Sequence, residues 1–119
     1  MHKIEDLIIW KKSIELAKQV YLICEKLPQD EKFGLISHIK RSVISISSNI
    51  AEGAGRNSNR EFIHFLSITN GSSYELMTQI ILCIELDILK KSDTEKVINL
   101  INEIQKMNYV FQQKLKSNI

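Results

Sequence analysis

Apolar residues spaced alternately by three and four run through four separate segments of this 119-residue chain, which holds one proline and four glycines. That spacing puts a continuous apolar stripe on one side of an α-helix. With so few residues that break helices, the chain can form long helices and little else. The first segment carries a seam at Leu7, Trp10, Ile14, Ala17, Tyr21 and Cys24, and beside it a second stripe at Ile9, Leu16, Val20, Ile23 and Leu27. Pro28 should end this helix, because the residue before a proline is pushed out of the α region. The second segment runs Leu35, Ile39, Val43, Ile46 and Ile50, with Ser42, Ser45, Ser47 and Ser48 giving it a small-sided surface.

Two of the glycines, Gly53 and Gly55, weaken the end of the second helix, and Ser58-Asn59-Arg60-Glu61 fits a capping box for the third. The third seam is Phe62, Leu66, Thr69, Ser73, Leu76, Ile80 and Cys83, with Met77, Ile81, Ile84 and Ile88 as a second stripe. Ser92-Asp93-Thr94-Glu95 predicts the cap of a fourth helix bearing Val97, Ile101, Ile104, Phe111 and Leu115. No segment alternates like a strand. The expected fold is therefore all-α, an antiparallel up-down-up-down four-helix bundle formed by a single domain over residues 1–119. A corner helix of an isolated bundle needs one apolar face, and several here have two. Either the monomer core is generously buried, or a further face packs against another copy of the chain.

Composition narrows the class. Hydrophobic residues make up 44% and charged residues 25%, ordinary values for a globular domain. No apolar run approaches the ~18 residues of a membrane span, and the N-terminus lacks a signal peptide's apolar core, so no membrane partner is expected. Cys24 and Cys83 fall on apolar stripes and read as reduced core residues of a cytoplasmic protein.

Chemical motifs are few. Gly53-Ala54-Gly55-Arg56-Asn57-Ser58 matches neither the dinucleotide fingerprint nor a P-loop, both of which also follow a strand. Gly53 continues the seam three residues after Ile50, which suits a tight helix contact, while Gly55 suits a cap or bend. Glu61 and His64 have the Glu-x-x-His spacing of di-iron bundles, but neither His2 nor His38 supplies a second pair. No metal, cofactor or catalytic residue is expected. Asn49 and Glu52 are the polar residues best placed for partial burial, and Glu52 stands four before Arg56, the orientation that favours an ion pair.

The charge pattern is more informative. The net charge is only +2. Under up-down-up-down topology one end gathers seven basic residues against four acidic, including Lys3, Lys11, Lys12, Arg56, Arg60, Lys114 and Lys116. The other end, which includes Lys32, gathers five basic against seven acidic, and Lys40-Arg41 forms a separate basic pair midway along the second helix. Repeated around a ring of subunits, the basic end would become a ring able to neutralise phosphates.

Several short motifs then carry a likeness. They are Asp6-Leu7 with Trp10, Val20-Tyr21, Leu27-Pro28 with Glu31 and Phe33-Gly34-Leu35, Arg41-Ser42, Ser45-Ile46, and above all Asn49-Ile50-Ala51-Glu52-Gly53 with Gly55-Arg56. Glu61-Phe62, Phe65-Leu66, Gly71-Ser72, Glu75-Leu76 and Thr78-Gln79 complete it. The chain resembles the 23S rRNA-intervening-sequence proteins of bacteria over nearly its whole length. The resemblance implies an antiparallel four-helix bundle that assembles as a homopentamer and has no known enzymatic activity. A related accessory protein of diversity-generating retroelements has the same architecture and binds nucleic acid and a reverse transcriptase through a basic ring. The resulting expectation is a non-enzymatic homopentamer binding RNA or DNA, with Lys11, Lys12, Lys40, Arg41, Arg56 and Arg60 as candidate contacts. Asn49, Glu52, Gly53 and Gly55 are the expected structural motif. Binding should be electrostatic, since no aromatic-rich stacking platform is apparent along the chain. The alternative is a scaffold for a protein partner with no nucleic acid bound.

Overall fold

The computed structural model describes residues 2–31 and 34–119, so Lys32 and Phe33, used above in the charge count and the family likeness, lie outside the described residues. Among the described residues regular structure consists of four α-helices and two single 3-10 turns, with no strand. The helices are α1 (Ile8–Cys24), α2 (Leu35–Ala54), α3 (Asn59–Glu85) and α4 (Lys91–Lys116). No helix among these residues is long and apolar enough to cross a membrane.

The helix ends follow local chemistry, with three departures from the expected boundaries: α1 and α3 end early, which leaves Ile88 of the expected second stripe beyond α3, and α4 begins early. α1 stops at Cys24, four residues before Pro28, because its last turn tightens. Glu25, Lys26 and Leu27 donate to carbonyls three residues back, those of Leu22, Ile23 and Cys24. At the start of α3 the Glu61 amide donates to Ser58 Oγ at 3.2 Å, and the Ser58 hydroxyl donates to the Glu61 carboxylate at 3.1 Å. α4 begins earlier than its supposed serine cap. Asp93, not Ser92, satisfies the open end, accepting from the Lys90 amide at 3.2 Å. Asp93 also accepts from Lys26 Nζ at 2.9 Å, and that bond first, with the Lys90 amide after it, holds its carboxyl below the usual value. α3 ends in a Schellman turn: the Ile88 amide donates to Cys83 and the Asp87 amide to Ile84, with Asp87 at φ 59°.

α1 packs on α2 and α4, and α3 packs on α2 and α4, so the four helices enclose one core. In α1 the stripe that fills it is Ile9, Leu16, Val20 and Ile23, continued by Leu27, with Ser13 buried in the gap and donating to the Trp10 carbonyl. The other seam lies toward the edge, with Ile14 38% and Tyr21 40% exposed and Cys24 alone of its residues buried. α2 buries Ile39, Val43, Ile46 and Ile50, and α3 buries its whole seam from Phe62 to Cys83. Each fully buried Leu, Ile or Phe contributes about 1.5–3 kcal/mol by leaving water. Two of the polar side chains inside are paired across helices: Thr69 donates to the Ile46 carbonyl, and Asn108 of α4 donates to the Leu66 carbonyl at 2.9 Å.

The α2–α3 contact is the closest-packed. A Cβ at Gly53 would stand 2.7 Å from Phe62 Cδ1 and 2.9 Å from Phe65 Cβ, which leaves no room for a side chain. About two turns along, Ser45 Oγ and Ser72 Oγ are 2.8 Å apart, and Asn49 Nδ2 donates to the carbonyl and hydroxyl of Ser45. Small residues let the two backbones approach. The molecule is elongated, 46 × 23 × 21 Å.

Candidate nucleic-acid interface

Four chain segments converge on one end of the molecule. The His2 amide donates to the Ala54 carbonyl at 3.1 Å, tying the N-terminal segment to the end of α2. The His2 ring lies 5.0 Å from that of Phe62 at the start of α3 and 6.1 Å from that of Phe111 late in α4, and the two phenylalanines are 5.1 Å apart. These tilted and edge-on contacts sit within the distances that favour aromatic pairs. Gly53 closes over the same Phe62 ring. The cluster is an apolar floor, and charged side chains stand around it.

Arg56 is the most tightly held of them. Its Nη2 is 3.1 Å from a Glu52 oxygen, its Nη1 is 3.8 Å from Glu61, and its Cζ lies 4.8 Å from the centre of the Phe65 ring. Glu61 is thereby shared between Arg56 and the Ser58 cap. Gly55, at the C-cap, is in the right-handed region, and a Cβ there would meet nothing closer than 3.6 Å. The motif from Asn49 to Glu61 thus links α2 to α3 by packing, one cap and two ion pairs.

The six candidate cations do not form one patch. Lys12 pairs with Glu103 of α4 at 3.0 Å, and Lys40 lies 4.7 Å over the Tyr21 ring. Lys11, Arg41 and Arg60 are exposed and make no ion pair among the described residues. Arg41 stands fifteen residues before Arg56 on a near-continuous helix, about 22 Å away along its axis. On the segments that meet at the end described above, Lys3, Arg60, Lys114 and Lys116 are exposed cations outside the ion pairs, with Glu5 and Asp6 exposed on the N-terminal segment beside them. Lys106 joins them from one side. It lines an apolar cavity of about 510 Å³ between the start of α1 and the end of α4, with Asp6, Leu7, Met107, Phe111 and Lys114. Lys106 was absent from the expected set. Its signal was the eight-residue step to Lys114, about two helical turns, which puts both on one side of α4.

The other chemistries considered meet plain geometric obstacles. Glu61 is engaged by Ser58 and Arg56, while the ring of His64 packs edge-on against Phe65, 5.4 Å away. Cys24 and Cys83 are free and buried. Burial, reinforced by the neighbouring Cys24 and by Glu31, pushes the Cys83 thiol up to about 11. Burial also raises Cys24, against a smaller opposing pull from Lys40. Both are therefore neutral thiols at pH 7 and poor nucleophiles.

Comparison with known proteins agrees with the helical geometry. The chain matches the family described as 23S rRNA-intervening sequence protein over residues 5–110. Its fold is similar to a crystal structure from Bacteroides thetaiotaomicron VPI-5482, a protein of unknown function from the S23 ribosomal protein family. The TM-score is 0.81 at 26% sequence identity, covering 88% of this chain and 98% of that one. No curated protein matches the chain.

Proposed function

Because the chain belongs to the 23S rRNA-intervening sequence protein family, we propose that it is a cytoplasmic, non-enzymatic bundle that assembles as a homopentamer and binds RNA or DNA through its cation-bearing end. The helices are taken to run up-down-up-down and antiparallel. That reading is supported by contacts in which partner numbers fall along α3 as they rise along α2: Ser45 with Ser72, Ile46 with Thr69, Gly53 with Phe62. The observation that carries the binding proposal is the set of exposed, unpaired cations Lys3, Arg60, Lys114 and Lys116 around one end. Arg56 fixes the loop that presents Arg60, and its own charge is offset by two carboxylates. A single copy supplies few charges. Five copies with their ends on one side supply a multivalent ring, and such binding reads phosphate, not sequence.

Fluorescence anisotropy with a labelled RNA hairpin tests this. With about four phosphates neutralised, affinity should fall roughly a hundredfold between 50 and 200 mM salt. The double variant Arg60→Ala/Lys114→Ala should weaken binding and flatten that salt dependence. Salt-insensitive binding, or none, would sink the proposal. The protein-scaffold reading has its own support in the apolar groove of Ala17, Tyr21 and Leu22 beside Lys40. A polypeptide recovered with the protein after nuclease treatment would favour it.

A further inference from the structure

The outer groove between α3 and α4 changes character along its length. Near the start of α4 it is apolar, lined by Met77, Ile81, Ile84 and Ile98. From Asn102 onward it becomes a cavity of about 710 Å³ lined by Tyr74, Asn102, Gln105, Lys106, Tyr109 and Val110. Through Gln105 and Tyr109 it continues into a second cavity of about 270 Å³ that contains Gln112 and Lys116. No carboxylate lines either cavity among the described residues. Tyr74 and Tyr109 are 55% and 67% exposed, large rings left in water.

The lining selects an occupant by its chemistry. The Gln105 amide nitrogen is held by Ser73 Oγ at 3.0 Å, which leaves its carbonyl oxygen free to accept. Amides that can both donate and accept suit the edges of bases. Exposed tyrosine rings offer stacking faces, and two lysines outside the ion pairs suit a phosphate backbone. A partner protein helix would need an aliphatic slot where this groove has amides. A duplex keeps its bases stacked and out of reach of the rings.

We infer that this groove binds an unpaired nucleic-acid strand, its bases stacked on Tyr74 and Tyr109 and its phosphates near Lys106 and Lys116. The inference rests on the nucleic-acid reading above for the class of partner and shares Lys116 and the adjoining Lys106 with that end, but it adds a different contact, the stacking of bases on two tyrosines outside the end. Tyr74 and Tyr109 lie 35 residues apart in the sequence, which is why no stacking platform was visible along the chain.

Anisotropy titrations with fluorescein-labelled rU12 and dT12, alongside the hairpin, test it on the full chain. Tyr74→Ala and Tyr109→Ala should each weaken single-strand binding by about tenfold or more, and Tyr109→Phe, which keeps the ring, by less than about twofold. Hairpin binding should be unchanged in all three. Tighter binding of rU12 than of dT12 assigns the strand to RNA, and the reverse assigns it to DNA. If Arg60→Ala/Lys114→Ala leaves hairpin binding intact while the tyrosine variants still lose rU12, the end is refuted and the groove stands. Absence of binding to either single strand, or equal affinity in wild type and tyrosine variants, would overturn the groove. So would tyrosine variants that shed subunits in light scattering, because the face would then be a contact between copies.

Discussion

At the scale of single residues, the two clustered glycines separate cleanly. Gly53 stands where any Cβ would fall 2.7 Å from a ring carbon of Phe62, itself packed against His2 and Phe111. Gly53→Ala must shift that cluster or part α2 from α3. It should destabilise the fold by about 1–3 kcal/mol, the usual range for overpacking a closed site. Gly55 is in the right-handed region with 3.6 Å of clearance, so Gly55→Ala should be neutral or stabilising by up to about 1 kcal/mol through the unfolded chain. Urea denaturation at one fixed protein concentration distinguishes them, and equal effects at both sites would contradict this account. The sequence placed Gly53 on the apolar seam because three residues separate it from Ile50. It could not say which side chain closes over it, since Phe62 arrives from the next helix.

At the scale of helices, the limits of periodicity are physical. α1 carries two stripes of similar apolar content, and spacing alone does not choose between them. The stripe through Leu16 and Val20 goes inward despite Ser13, because a helical serine can return its hydroxyl to its own backbone, as Ser13 does to Trp10. α4 shows the converse. Its core line runs Ile101, Ile104, Asn108 and Leu115, and an asparagine breaks the apolar pattern where Nδ2 meets the Leu66 carbonyl. The Asn108 Oδ1 in turn accepts from Gln112 at 2.6 Å. Asn108→Asp would remove the donor and bury a carboxylate with one oxygen against the Leu66 carbonyl, while the other still accepts from Gln112. It should cost about 2–3 kcal/mol at pH 7. Burial disfavours the charged form, so the folded-state pKa of that aspartate lies above its unfolded value. The loss should therefore shrink below the unfolded value, where the protonated carboxyl can donate as the amide does, and grow as pH rises through the folded value. Denaturant midpoints at pH 4 and pH 7 check the sign; a larger deficit at pH 4 would refute it.

At the scale of the whole molecule, the proposal that the chain assembles as a pentamer can be argued from the apolar surface left outside the core. On α1 the unburied seam includes Ile14 and Tyr21, and on α3 it includes Ile81, 48% exposed, beside Met77 and Ile84. These are different surfaces on different helices. If each sought its own twin across a two-fold axis, two kinds of interface would be needed. If one seeks the other, a single head-to-tail contact repeats around a closed ring, the arrangement a pentamer requires. Ile14→Glu and Ile81→Glu change exposed positions, so the bundle should stay folded while each variant alone drops toward the mass of one chain, 13.8 kDa. Mixing the two variants discriminates the geometries. Each contributes one intact surface, so a head-to-tail contact re-forms once and stops, giving dimers by light scattering and no larger species. An interface of like with like gives homodimers of each variant before mixing, and that outcome would exclude the head-to-tail ring.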